Sequence, residues 1–218
     1  MERTLEKEVM DTWANALAYA SADFSVPHQE FADQLAADYG PYLKDILDLG
    51  CGAADIPIRL AKAVPSCRII GVDASVTMIK LGRKAIKEAE LENKINLIRG
   101  YIPGLPFKEH GYDAVISNSL LHHLPNPKVF WEEVKRLARD ESAIYVKDLL
   151  RPKSKYDAKA LVEKYAADTQ EVHQTDFYNS LLASFTVDEV RKQVKQACLD
   201  LKVEQVSDRH WLAKGVLR

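Results

Sequence analysis

Apolar and polar positions alternate along the chain in two periods. At the N-terminus Leu5, Val9, Trp13, Ala16, Leu17 and Ala20 recur at helical spacing. Pro27 is placed to open a second helix carrying Phe31 and Leu35. From residue 45 the pattern changes to short apolar runs separated by amphipathic stretches. Ile46-Leu47 starts a first strand, and the helix after it carries Ile56, Leu60 and Val64, with Pro57 tolerable in its first turn. CRIIGVD reads as a second strand, followed by a helix with Ile79, Gly82, Ile86 and Ala89 on one face. KINLIRG and YDAVISN read as strands three and four, and Phe130, Val134, Leu137 and Ala138 mark the next helix. SAIYVKDLL is strand five.

Strands separated by helices imply a parallel sheet wound on both faces. After Leu150 the pattern changes again. Residues 151–185 read as a polar, helical insertion. A helix follows with a capping box, Thr186 and Glu189, and an apolar face of Val190, Val194, Ala197 and Cys198. LKVEQV and HWLAKGVL, joined by Ser207-Asp208-Arg209, read as an antiparallel hairpin. The expected fold is therefore α/β: a doubly wound, mixed, seven-stranded sheet of five parallel strands plus a C-terminal antiparallel hairpin. One domain is expected over 1–218, with a helical lid at 1–42, a ligand-binding core at 43–150, a lid insertion at 151–185 and a closing helix and hairpin at 186–218.

Composition narrows the partners. The 218 residues carry a net charge of −2, with 47% hydrophobic and 28% charged residues. Such a chain has no global field to gather nucleic acid, and no nucleic-acid partner is expected. The basic run Arg151, Lys153, Lys155, Lys159 and Lys164 reads as a solvated face, since Asp157 and Glu163 interrupt it. Cys51, Cys67 and Cys198 are odd in number and widely spaced, which predicts no disulfide framework, no metal site and a reducing, cytoplasmic setting. The charged N-terminus has no signal-like apolar core, and no run of about 18 apolar residues predicts a membrane span.

Candidate chemistry begins at ILDLGCGAADIPIRLAK, a strand, a glycine turn and a helix start. In a doubly wound sheet the ligand lies beyond the C-terminal strand ends, where this turn falls. Gly50 and Gly52 permit close approach to the backbone. Asp73, ending strand two, is placed to accept from two ribose hydroxyls. Where the dinucleotide fingerprint has its third glycine this chain has Asp55, and Asp48 precedes the turn. Two carboxylates there disfavour a pyrophosphate and suit a cationic ligand. S-adenosylmethionine, with an ammonium, a sulfonium and a ribose, is such a ligand.

The wider set of motifs resembles the class I, Rossmann-like, S-adenosylmethionine-dependent methyltransferases. ILDLGCGAADIPIRLAK is similar to their first motif, IIGVDASVTMIKLGRKA to the second, RGYIPGLPF to the third-strand motif and YDAVISNSLLHHLPNP to the fourth. The resemblance runs from about Ile46 to Leu150 and includes the reversed last strand. It implies that Asp48 helps place the methionine amino group, that Gly50 and Gly52 receive the methionyl part, and that Asp73 holds the ribose. It implies that Ala74 and Met78 line the adenine, with Ile102 covering it, and that Asn118 and Ser119 lie beside the sulfonium. Tyr101 departs from the family, which often has an acid there for the adenine amino group; the contact would fall to backbone or to the tyrosine hydroxyl.

For the acceptor, His122 and His123 follow strand four at the ligand edge, and His122 is the candidate general base, against a reading in which this loop histidine only caps or packs. Asp148 ends strand five at the same edge, with pairing to Arg151 as its alternative. Tyr165, His173, Asp176 and Tyr178 of the insertion, and Tyr19, Phe24 and His28 of the N-terminal helices, are candidate pocket groups; Trp13 is expected to pack. Asp208 and Arg209 are expected to pair in the final turn. No N-P-P-[YF] motif or catalytic cysteine follows strand four, so a small-molecule acceptor is expected. The competing readings are a non-catalytic S-adenosylmethionine-binding module, a nicotinamide-dependent oxidoreductase and an RNA methyltransferase.

Overall fold

The computed structural model describes residues 1–6 and 24–218. Val9, Trp13, Ala16, Leu17, Tyr19 and Ala20 therefore lie outside the described residues. Leu5, expected on a buried stripe, is 48% exposed in an extended segment. The helix expected at Pro27 is α1, Ser25–Tyr39, with Pro27 in its first turn, where the missing N–H is no loss. It buries Phe31, Ala32 and Leu35.

The α/β core alternates as expected. β1 (Asp45–Leu49), α2 (Asp55–Ala63), β2 (Arg68–Asp73), α3 (Val76–Glu88), β3 (Ile95–Arg99), β4 (Tyr112–Asn118), α4 (Pro127–Leu137) and β5 (Ala138–Leu149) follow in order. α5 (Lys155–Ala166) and α6 (Glu171–Ala183) form the insertion, and α7 (Val187–Gln196), β6 (Lys202–Gln205) and β7 (His210–Val216) close the chain. The sheet order is β3-β2-β1-β4-β5-β7-β6. β1 to β5 pair in parallel, and β7 lies antiparallel to both β5 and β6. The five parallel strands and the terminal hairpin of the sequence reading are thus present. Connections run outward from β1 to β3, then return to β4 on the other side of β1. The order reverses between β1 and β4, which is where such sheets bind ligands.

Each face of the sheet buries one apolar layer. One contains Phe31, Leu35, Ile46, Leu60, Ile79 and Tyr145; the other contains Leu47, Val115, Phe130, Trp131, Val134 and Trp211. A smaller cluster of Leu149, Ala158, Leu181 and Leu182 seats α5 and α6. Caps fix the helix starts: Ser75 accepts from Met78 N–H, Asn126 from Lys128 N–H, and Thr186 and Glu189 form the reciprocal box.

Two expectations near helix ends are corrected. Ala138, read as the last residue of a helical face, begins β5 instead. There it pairs with Tyr112 before an irregularity, and Arg139 ties the strand to Asp113 at 2.7 Å. Cys198, read on the apolar face of α7, is exposed; the helix stops at Gln196, and Leu199 is buried in its place. Among the described residues no helix is long and apolar enough to cross a membrane.

Candidate active site

The turn after β1 is held by backbone bonds. Gly50 and Cys51 N–H both donate to Val72 O, at 2.8 and 3.0 Å. Gly50, Gly52 and Ala54 all have positive φ, at 77°, 52° and 66°. A Cβ on Gly50 would meet Leu120 Cβ at 2.9 Å, whereas one on Gly52 would meet no protein atom within 4 Å. Gly52 therefore leaves a bare backbone ledge open to a ligand. The Asp73 carboxylate is fixed by two amides: Gly52 N–H to Oδ2 at 2.9 Å and Ser75 N–H to Oδ1 at 2.8 Å.

These groups line one cavity of about 430 Å³, within the range of small-molecule sites. Gly50, Gly52, Asp73, Ala74, Met78, Tyr101, Ile102, Asn118, Ser119 and His122 all line it. Asp48 does not. It lies 2% exposed beneath the turn, and burial, reinforced by the Asp73 charge, pushes its pKa up to about 8. Asp55, the other carboxylate of the charge argument, is hydrogen-bonded to His28 Nδ1 at 2.7 Å and ion-paired with Arg59 at 3.0 Å. Burial works to raise its pKa, but those two partners outweigh it and the net shift is downward. The negative charge that faces the cavity from this turn is therefore that of Asp73. Tyr101 is 59% exposed, and its hydroxyl accepts from Arg99 Nη2 at 2.6 Å.

The opposite wall carries groups from segments far apart in the chain. Of the insertion residues singled out, Tyr165, His173 and Asp176 line the cavity, while Tyr178 packs in the cluster beneath α5 and α6. Phe24, which caps α1, and His28 in its first turns line it as well. His122 is buried, and its Nδ1 faces Asp148 Oδ1 at 2.5 Å; Asp148 also accepts from His122 N–H at 3.1 Å. Asp148 thus pairs with His122 and not with Arg151, which reaches Glu189 at 2.6 Å. Burial alone would lower the His122 pKa, but the Asp148 charge and hydrogen bond raise it above its ordinary value. The pairing fixes the proton on Nδ1 and leaves Nε2 as the basic nitrogen.

The His123 ring lies tilted against that of His122, with centroids 4.0 Å apart, and pairs with Glu6, which also accepts from Ser180 Oγ at 2.6 Å. Glu6, His122 and His123 bring one ligand-capable atom each within 4.8 Å of the others, a donor set that spacing alone did not flag. Arg3, likewise unflagged, donates to the carbonyls of Ala183, His122 and Leu124. Asp208 pairs with Lys164 at 2.8 Å and accepts from the Tyr165 hydroxyl, so the expected Asp208–Arg209 pair does not form; Arg209 stacks on the Tyr165 ring instead. A second depression, about 780 Å³, lies open between α7 and β6 and shares no residue with the glycine turn.

A methyltransferase-domain family model matches residues 43–213, from just before β1 to within β7. The chain belongs to that family. This methyltransferase domain has the class I, S-adenosylmethionine-dependent fold, as the resemblance implied. It is similar in structure to an S-adenosylmethionine-dependent methyltransferase from Aquifex aeolicus, with a TM-score of 0.68 at 15% identity over 93% of this chain and 98% of that one. The plantazolicin methyltransferase BpumL, solved with S-adenosylhomocysteine and a triazolic desmethyl analogue, superposes with a TM-score of 0.71 at 19% identity over 94% of each chain. Among curated proteins, the demethylmenaquinone methyltransferases of Porphyromonas gingivalis and Listeria welshimeri are 30% and 32% identical over 110 and 109 residues. Those alignments cover 50% of this chain and 45–46% of the relatives, so the chain spans about half the length of the curated relatives it matches.

Proposed function

We propose that this methyltransferase domain transfers the methyl group of S-adenosylmethionine to a small-molecule acceptor held in the cavity above the glycine turn. The observation that carries this is convergence. The open ledge at Gly52, the amide-fixed carboxylate of Asp73, the apolar Ala74, Met78 and Ile102, and the polar pair Asn118 and Ser119 meet in one cavity at the reversal of strand order.

In this reading Gly50 and Gly52 receive the methionyl part, with Asp48 beneath them acting through the backbone. Asp73 accepts from the ribose hydroxyls, and Tyr101 and Ile102 cover the adenine with Ala74 and Met78. Asn118 and Ser119 border the sulfonium. The cofactor supplies a methyl carbon on a sulfonium that departs with its electron pair. The chain contributes alignment, which is most of what such a displacement needs. His122, oriented by Asp148, is the general base that takes the acceptor's proton on Nε2. α5, α6 and the N-terminal segment form the lid that shapes the acceptor end. The acceptor is proposed as a small molecule, and a demethylated menaquinone belongs in any panel because the curated relatives carry that name. The three unpaired cysteines support a cytoplasmic setting.

Calorimetric titration with S-adenosylhomocysteine, with NAD as comparison, tests the cofactor. Binding of the first alone is expected. Asp73→Ala should weaken that binding by about 1.5–3 kcal/mol through lost charge-assisted hydrogen bonds. Unchanged affinity in a folded variant would overturn the ribose assignment.

A further inference from the structure

The half-buried cations of this chain nearly all have partners. Arg3, Arg59, Arg136, Arg139 and Arg151 spend their guanidinium groups on carbonyls or carboxylates. Lys94 reaches Pro65 O, and Lys214 pairs with Asp38. Lys147 and Arg209 are the exceptions. Both are half-buried, both line the cavity, and neither has a carboxylate within 4 Å or a side-chain hydrogen bond among the described residues. The acidic residues beside them in sequence are committed elsewhere: Asp148 to His122, and Asp208 to Lys164 and Tyr165.

Their placement is defined by the sheet. Lys147 stands in register with Asn118 of β4, at the strand ends where the methyl group is expected. Arg209 immediately precedes β7, its guanidinium 3.4 Å from the Tyr165 centroid and 6.0 Å from that of Phe177. Stacking holds the guanidinium plane and leaves its N–H edge free to donate. His210, which follows, lies on the same cavity wall, and burial together with the two cations lowers its pKa to about 3, so it adds a neutral donor or acceptor. Glu30 acts on Lys147 and Asp208 on Arg209 only through space; two partly desolvated cations without a contacting anion are costly, and a ligand anion would relieve that cost.

We propose that Lys147 and Arg209 form an anion-recognition subsite at the acceptor end of the cavity, taking a carboxylate or phosphate carried by the acceptor. The proposal rests on the methyltransferase reading for what the anion is attached to, not for the anion site itself. The Tyr165 and Phe177 rings and Leu149 supply an apolar wall beside the cations, which suits a compact organic acid.

The test uses benzoate, phenyl phosphate and uncharged benzamide, titrated into the full chain with and without S-adenosylhomocysteine. At least one anion should bind about tenfold or more tighter than benzamide, the scale expected of a charge-assisted contact. Which anion does so separates carboxylate from phosphate recognition. Lys147→Met should abolish the preference, Lys147→Arg should retain it, and both should hold S-adenosylhomocysteine within about twofold of the parent chain if the ammonium serves the acceptor. Equal binding of benzamide and both anions, or a preference that survives Lys147→Met, overturns the subsite. So does a loss of S-adenosylhomocysteine affinity in Lys147→Met with 5′-methylthioadenosine affinity intact, because the lysine would then hold the cofactor's own carboxylate. Anion preference in a chain that binds no S-adenosylhomocysteine supports the subsite and overturns the methyltransferase reading of the cavity.

Discussion

At the scale of single residues, this site is governed by how each carboxylate around the glycine turn is held. Asp48 and Asp55 flank the glycine turn in sequence, yet Asp55 is paired with His28 and Arg59, and Asp48 is buried to the point of holding its proton near neutrality. Between its unfolded value near 3.9 and its folded value of about 8, the native state binds one proton more through Asp48 than the unfolded state does. Stability from this group therefore falls as pH rises, by about 1.4 kcal/mol per unit. Asp48→Asn should remove that slope between about pH 5 and 7 in denaturant titrations. Identical slopes in the two proteins would mean that Asp48 ionises freely. His122 has the same sign. Asp148 raises its folded pKa, so the stability it contributes is present below about pH 6.5 and is lost as pH rises through the folded value. As a base it must lose its proton first. The methyl-transfer rate should therefore climb with pH along a limb whose apparent pKa exceeds about 6.5, and Asp148→Asn should move that limb downward. A flat profile in both proteins would remove His122 from the chemistry.

At the scale of elements, α3 ties the glycine turn to the sheet through one missing side chain. A Cβ on Gly82 would stand 2.6 Å from Leu97 Cδ1 and 3.2 Å from the backbone carbon of Ala53, inside the glycine turn. Leu97 of β3 is buried and packs against Gly71 of β2, so it has little room to yield. Gly82→Ala should cost about 1–3 kcal/mol in thermal or denaturant unfolding, even though alanine favours helix. S-adenosylhomocysteine affinity should fall with it, because the displaced backbone belongs to the turn; a stabilised variant with full affinity would refute this packing. Gly82 was legible in the sequence as one position on an apolar helical face, and so were the strands. Ile46, Ile69, Leu97, Val115 and Ile144 all sit in short apolar runs bounded by turn residues. Boundaries were less legible where two elements abut without a loop. Ala138 continues the apolar helical face of Phe130, Val134 and Leu137, but its pairing with Tyr112 and the ties of Arg139 to Asp113 and Gly111 place it in β5. Cys198 fails as a core position because α7 ends before it.

At the scale of the whole molecule, the part of the cavity around the glycine turn was legible because it is local: one turn and the ends of neighbouring strands, each carrying its own motif. The far wall was legible only in part: Tyr165, His173, Asp176, Phe24 and His28 were singled out and do line the cavity, but Arg3, Glu6 and Lys147 were not, because that wall is assembled from segments with no shared periodicity. Arg3 shows how such a wall is held. Its guanidinium donates to the carbonyls of His122 and Leu124 at 2.9 and 3.0 Å and to Ala183, and it stacks 3.9 Å over the Phe185 ring. The adjacent Thr4 N–H donates to Leu182 O at 3.0 Å, and Glu6 continues the strap to His123 and Ser180. One extended segment thus joins the loop after β4 to the end of α6, two pieces that no sheet hydrogen bond connects. Arg3→Ala removes hydrogen bonds from a charged group in a partly buried setting, each worth about 1.5–3 kcal/mol at most and less where solvent reaches. Because β1 to β5 are held by their own ladder, the loss should be local. Amide hydrogen exchange should quicken at 121–124 and 181–185 while the central strands keep their protection. The same variant should hold S-adenosylhomocysteine nearly unchanged and turn over acceptor more slowly, since the carbonyl released on His122 belongs to the candidate base. Uniform loss of protection across the sheet would instead make Arg3 a determinant of global stability and remove the strap as a separate unit of the fold.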